Sequence, residues 1–251
     1  MDKIRISAVK YANTYPFIYG LTESGFDRRV MLETDHPADC AAKLISGSVD
    51  IGLIPVATLP LLNEYHIISD YCIGAFGKVR TVMLLSNCPF EDIVSVYLDY
   101  RSRSSVTLSK VLAKNFWKRD FRWINTSEEF NFTDIGMNEA VVLIGDQCFE
   151  FENRFRHKTD LAYAWKEFSG LPFVFACWTA NKKVDEKFIE EFNEALRFGV
   201  NNISLVAEKY GNTGTITGKD LEKYLTENID YEFNDEMRKG LKLFLELMAK
   251  L

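Results

Sequence analysis

Short, continuous apolar runs alternate along the chain with segments whose apolar residues recur every three or four positions. Ile4–Val9 is such a run and predicts a buried strand; Pro16–Leu21 predicts a short helix and Val30–Glu33 a second strand. Asp35-His36-Pro37-Ala38-Asp39 has the form of a helix start: a capping residue, an early proline and an acidic first turn. Ala41, Leu44 and Ile45 give that helix one buried stripe, and Gly47 ends it. Ile51–Val56 is apolar throughout, as parallel strands covered on both faces are, and Ala57–Asn63 predicts a helix. Strand, helix, strand, helix predicts an α/β layered domain.

From Tyr71 to Ser86 the pattern changes. Cys72–Gly77 is apolar and flexible, and Val79–Leu85 is a long extended run. The alternation restarts with a strand at Ser95–Asp99, a polar loop at Tyr100–Arg103 and a helix at Ser104–Trp117, with Leu108, Val111, Leu112 and Phe116 on one stripe. A strand at Ala140–Ile144 ends at Gly145-Asp146, and a helix near Asp160–Phe168 precedes a second extended run, Phe173–Trp178. The two extended runs bracket a middle section, which predicts an inserted domain joined by two crossing strands. The expected lobes are residues 1–85 with 175–251, and residues 86–174. Beyond Asp185 the chain reads as helices, with Phe188, Ile189, Phe192, Leu196 and Val200 as core positions and Asn234-Asp235 capping the last one.

Open α/β sheets bind ligands beyond the carboxyl ends of their strands. Four polar stretches stand there. Lys10–Phe17 joins a strand to a helix through Tyr11, Asn13 and Thr14, with Pro16 in the first turn. Pro55-Val56-Ala57-Thr58 ends the third strand. Asp99-Tyr100-Arg101-Ser102-Arg103-Ser104-Ser105-Val106-Thr107 sets hydroxyls and arginines at a helix start, where the N–H groups of Ser105, Val106 and Thr107 are expected to be unpaired and to suit a carboxylate. Gly145-Asp146 is the fourth; Asp146 is open between a cap, a ligand for a hydroxyl and an acid/base group.

Composition narrows the partners. Thirty basic and 36 acidic residues leave a net charge of −6 over 251 residues, with no basic block, which argues against nucleic acid. Five cysteines, at 40, 72, 88, 148 and 177, form no C-x-x-C pair and predict reduced, buried thiols, as in the cytoplasm. No secretory signal and no membrane span is expected. His36, His66 and His157 are scattered, so no metal site is expected, nor a catalytic histidine in the charged run around His157. No GxGxxG, Walker loop or G-x-S-x-G elbow occurs, so no cofactor is expected.

Taken in order, these stretches resemble the MqnA family, the chorismate dehydratases of the futalosine route to menaquinone. Tyr11-Ala12-Asn13-Thr14-Tyr15-Pro16 is similar to the family's Y-x-N-T-x-P opening, and Asp50–Val56 to its D-(V/I)-(G/A)-L-I-P-V segment. Ser69-Asp70 with Gly77–Val82 and Ser86 resembles the family's S-x-x-x-V-x-L-x-S crossing strand, with Thr81 in place of the usual serine. Ser102-Arg103-Ser104-Ser105 resembles S-R-T-S, and Ile144-Gly145-Asp146 fits I-G-D. Asp160-Leu161, Trp165 and Gly170–Trp178 resemble D-L-x-x-x-W-x-x-x-x-G-L-P-F-V-F-A-x-W. Arg101 departs from the serine expected there. The resemblance covers Val9 to Trp178 and weakens in the C-terminal helices.

The resemblance implies a type II periplasmic-binding-protein-like α/β fold in the cytoplasm, monomeric or homodimeric. Its ligand would be a dianionic small molecule, chorismate, held in a cleft between two lobes and losing water to an aromatic product. Asn13 and Ser86 are then the residues expected to contact the reacting part. Tyr11, Thr14, Pro55, Ser104, Ser105, Val106, Thr107, Gly145 and Asp146 are expected to bind substrate. The proton acceptor is open between water, Asp146 and a substrate carboxylate. Two other readings share the fold. The sister dihydroxynaphthoate synthase uses a histidine base, and no histidine stands in a matched cleft motif. A plain anion-binding protein would carry a secretory or lipoprotein signal.

Overall fold

The computed structural model describes residues 3–132, 134–212 and 215–251; Met1 and Asp2, which lead into the expected first strand, lie outside the described residues. The chain folds as β1 (Ile4–Val9), α1 (Tyr15–Glu23), β2 (Val30–Asp35), α2 (Pro37–Ile45), β3 (Ile51–Pro55) and β4 (His66–Ala75). It continues through β5 (Val82–Ser86), β6 (Ser95–Leu98), α3 (Ser104–Leu112), β7 (Arg122–Asn125), β8 (Glu139–Ile144), α4 (Gln147–Phe151), β9 (His157–Asp160) and α5 (Leu161–Ser169). It ends with β10 (Phe173–Ala180), α6 (Glu186–Val200), α7 (Ile203–Tyr210), α8 (Gly218–Glu227), β11 (Asp230–Glu232) and α9 (Asp235–Met248).

Two sheets result, in the orders β11-β4-β10-β3-β1-β2 and β7-β6-β8-β5-β9. Each has a parallel three-strand centre, β2-β1-β3 or β7-β6-β8, flanked by one antiparallel strand, β10 or β5. The chain leaves the first sheet through β4 and returns through β10, and these strands lie side by side with Phe173 opposite Ala75. The second sheet is therefore an insertion, as the sequence predicts. The expected boundaries are corrected. Val82–Leu85 pairs with β8 and belongs to the second lobe, and Phe173-Val174 pairs with β4 and belongs to the first. The crossings are the short segments 76–81 and 170–172, with Gly77 (φ 149°) and Arg80 (φ 62°) in the first. A strand cannot span two sheets without giving up its ladder in one, so each extended run falls wholly on one side.

The apolar runs are continuous because both faces of each central strand are covered. Val82 and Leu84 of β5, with Ala140, Val142 and Ile144 of β8, join the main core; Met83, Leu85, Val141 and Leu143 point into a second cluster with Phe132, Cys148 and Phe155. Cys72–Ala75 is part of the ten-residue strand β4, not a flexible segment. Ala57–Asn63 forms a 3₁₀ turn over Val56–Leu61, because Pro60 denies the backbone an α-helical N–H. The helix predicted to run to Trp117 changes to a π-turn at Ala113–Trp117. All five cysteines are buried, and no disulfide forms among the described residues. Among the described residues no helix is long and apolar enough to cross a membrane.

Candidate functional site

The carboxyl ends of β1, β3, β6 and β8 converge on one cleft between the lobes. Tyr11, Asn13, Pro55, Ser104, Ser105 and Gly145, all expected from the sequence, line it. Tyr11 and Asn13 are placed there by a single 3₁₀ turn, Ala12–Thr14, which turns the chain from β1 into α1. That turn is braced from behind by the C-terminal elements. The Tyr231 hydroxyl donates to the Asn13 carbonyl at 3.0 Å, and the Tyr224 hydroxyl lies 2.8 Å from Thr81 Oγ1.

Five expected residues stand elsewhere. Ser86 ends β5 opposite Ala140, while the cleft meets β5 at Val82 opposite Ile144. Four residues of strand separate them, roughly 13 Å. The Ser86 hydroxyl is buried and donates to the Cys88 carbonyl at 2.7 Å. Thr14 is fully buried and donates to Asn13 Oδ1 at 3.2 Å, orienting that amide from behind. The Thr107 N–H is engaged by the Arg103 carbonyl at 3.0 Å, because Arg103 is the N-cap. The open donors of the first turn therefore begin at Ser104, and Val106 is outside the lining as well. Asp146 accepts the Ala12 N–H on both carboxylate oxygens at 3.1 Å, and so ties the second lobe to the cleft loop of the first.

A second tie is the Ser104 hydroxyl, which donates to the Phe175 carbonyl at 2.9 Å and accepts from the Ala57 N–H at 3.3 Å. With both ties made, the space left in the cleft is about 60 Å³. Small-molecule sites run to roughly 300–1,000 Å³, so the space between the tied lobes is smaller than such sites. A larger groove, about 720 Å³, runs along the outer face of the first sheet between β4 and α6. It is open, away from the strand ends, and bridged by Asn193, which bonds Ser69 and Asp70.

Burial pushes Asp146 up to about 6, against the pull of the Ala12 hydrogen bond. A carboxyl raised in the folded state costs stability when ionised, so stability is recovered as pH falls through 6 toward the unfolded value near 4. After allowance for partial solvent access the change is about 1–2 kcal/mol. Asp146→Asn, which keeps an acceptor for Ala12, is expected to exceed wild type by that amount at pH 7.5, by about half as much at pH 5, and to approach it only below pH 4. Urea melts at the two pH values check this, and equal stabilities at pH 7.5 would refute it.

The positive charge of the cleft comes from Arg103, which the sequence marks only as one member of a polar stretch. It is exposed, lines the cleft and makes no ion pair among the described residues. Arg101 is instead committed to the buried Asp99, with Nε and Nη2 each 2.8 Å from a carboxylate oxygen. Thr81 also lines the cleft, at the position where the family's serine is expected. Its place in the motif is the available signal. In the sequence His36 reads only as part of a helix start. It does N-cap α2, but its ring makes no cap bond and lies 3.3 Å from the Tyr11 hydroxyl. A histidine thus borders the cleft after all, brought there by the parallel pairing of β1 and β2.

Solved structures share this architecture at identities that speak for fold alone. A protein of Archaeoglobus fulgidus superposes with a TM-score of 0.78 at 16% identity, covering 99% of this chain and 97% of its own. A Candida albicans protein described as having the generic periplasmic binding protein fold gives 0.70 at 11% identity, covering 100% and 91%. The alkanesulfonate-binding protein SsuA of Xanthomonas axonopodis pv. citri gives 0.66 at 11%, covering 99% and 92%. The fold is therefore periplasmic-binding-protein-like. In sequence, a chorismate dehydratase of Thermus thermophilus is 25% identical over 96% of this chain and 93% of its own length. The family model described as menaquinone biosynthesis matches residues 4–250, nearly the whole chain, and the protein belongs to that family.

Proposed function

We propose that this protein is a chorismate dehydratase of the cytoplasm, converting chorismate to 3-(1-carboxyvinyloxy)benzoate and water on the way to menaquinone. The observation that carries the reading is the match, over 96% of the chain, to a Thermus thermophilus protein of that activity. The cleft supports it chemically. Arg103 and the first-turn N–H groups of α3 offer one carboxylate of a dianion a cation and a helix start together. Asn13 stands on the facing lobe, its amide held by Thr14, where it can contact the reacting part of the ring. The product is aromatic, so the elimination has its own driving force. The protein has to orient the ring and assist one proton removal and one hydroxide loss.

Purified protein incubated with chorismate is expected to accumulate an aromatic enolpyruvyl ether, followed by chromatography and absorbance. Tight binding of chorismate without product would favour a binding protein, the activity named for SsuA. Arg103→Ala is expected to raise KM about 10–100-fold, the loss of one charge-assisted hydrogen bond. Asn13→Ala is expected to lower kcat instead, with the melting curve unchanged. Wild-type constants in both variants would remove these residues from the site.

A further inference from the structure

Asn13 and Thr81 line the cleft from two separate segments, and each leads back to a tyrosine that does not line it. Both tyrosines come from the C-terminal part of the chain, Tyr224 from α8 and Tyr231 from β11, and both are buried. The Tyr231 hydroxyl donates to the Asn13 carbonyl at 3.0 Å, and Tyr224 Oη lies 2.8 Å from Thr81 Oγ1. The rings are seated edge-on against neighbours. Tyr231 meets Phe17 of α1 with centroids 5.3 Å apart, and Tyr224 meets Phe149 of α4 at 5.0 Å.

The hydrogen bonds run in one direction. Burial holds both phenols protonated, so each has a single proton to place. Tyr231 places its proton on the Asn13 carbonyl. The Thr14 hydroxyl occupies Asn13 Oδ1, which leaves Nδ2 as the donor of that amide, and it acts on Tyr224 Oη as a donor. Thr81 Oγ1 donates to the Val79 carbonyl at 3.4 Å, so it accepts from Tyr224. Donors therefore follow one another from Asn13 through Tyr224 and Thr81 to Val79. Reversing either hydroxyl would set two donors face to face, so the network has one arrangement.

We propose that Tyr224 and Tyr231 are positioning residues for the cleft, holding the Asn13 amide and the Thr81 hydroxyl in one fixed relation without touching substrate. The proposal rests on the dehydratase reading, in which Asn13 contacts the reacting part of the ring. Tyr231 fixes the Ala12–Thr14 turn through its backbone. Tyr224 holds the amide that this turn presents and ties it to Thr81, the last residue of the crossing before β5. An amide free to turn about its side-chain bonds would meet the ring in many poses, and a misplacement of about 1 Å costs up to about 10²-fold in rate.

The test is turnover of chorismate by Tyr224→Phe and Tyr231→Phe, each alone and combined with Asn13→Ala, with melting curves for all. Phenylalanine keeps the ring contacts and removes only the hydroxyl. Each single variant is expected to lose about 10–100-fold in kcat with KM within about threefold. In the Asn13→Ala background the same substitutions are expected to cost less than about threefold, because the group they position is gone. A role in stability alone would lower kcat by the same factor in both backgrounds. Thr81→Ser and Thr81→Val probe the network without altering a tyrosine, and Thr81→Ser, which keeps the hydroxyl, is expected to turn over at least about tenfold faster than Thr81→Val. Turnover by both tyrosine variants within about twofold of wild type, equal losses in the two backgrounds, or equal turnover by the two Thr81 variants overturns the positioning role and leaves the dehydratase reading standing. Absence of aromatic product from wild type overturns both.

Discussion

Gly199→Ala is expected to lower the melting temperature by about 6–12 °C, the equivalent of about 3 kcal/mol in a chain of this size. The reason is the crossing of α1 and α6. A Cβ at Gly199 would lie 1.7 Å from the Pro16 carbonyl oxygen and 2.8 Å from the Gly20 nitrogen. One at Gly20 would lie 2.0 Å from the Ala195 carbonyl oxygen. Both contacts are with backbone, which cannot rotate aside, so the helices must separate. Alanine is the better helix former by about 1 kcal/mol, but overpacking of this severity outweighs that gain. Activity is expected to fall as well, because α1 leads directly out of the Ala12–Thr14 turn that presents Asn13. Differential scanning fluorimetry reads the stability change; a variant melting within a degree of wild type would mean the helices do not meet there.

Gly145→Ala is expected to reach function before stability. Gly145 adopts φ 73°, and its Cβ would meet three atoms of the Tyr11 ring at 2.6, 2.7 and 2.8 Å. The left-handed conformation costs a non-glycine residue about 1 kcal/mol. The clash is with a side chain, which can swing away, so the total loss stays near 1–2 kcal/mol. What is lost is the position of Tyr11 in the cleft, and kcat on chorismate is expected to drop about 100-fold. Gly145→Asn separates the two effects. Asparagine tolerates the left-handed region, so its stability is expected to lie closer to wild type while turnover falls equally. If Gly145→Asn turned over like wild type, the ring would not be needed where it stands.

These two glycines differ in how far the sequence reveals them. Gly145 stands in I-G-D at a strand end and is expected in the site from that motif. Gly199 has no signal at all, because its role is the approach of a helix far away in the chain, and neither its own helix nor its neighbours record that. Ser104 is expected as a carboxylate ligand, and its hydroxyl instead ties Phe175 to Ala57 across the lobes. Ser86 follows from a motif, but its distance from the cleft follows from the direction of β5, which a motif does not contain. His36 is visible as a helix start, and its hydrogen bond to Tyr11 depends on β2 lying alongside β1.

Sequence by itself determined the local units of this protein: the buried apolar strands, the Pro37 and Asn234 helix starts, the two-lobe insertion and the order of four polar strand ends. Those are written in periodicity and turn chemistry, which act over a few residues. Tertiary structure alone decided where the second sheet begins, which hydroxyls face the cleft and which bind the lobes together, and which histidine reaches the site. These depend on register and strand direction between segments far apart in the chain. Each is set by the burial of whole faces and the pairing of backbone groups, and no single residue carries it.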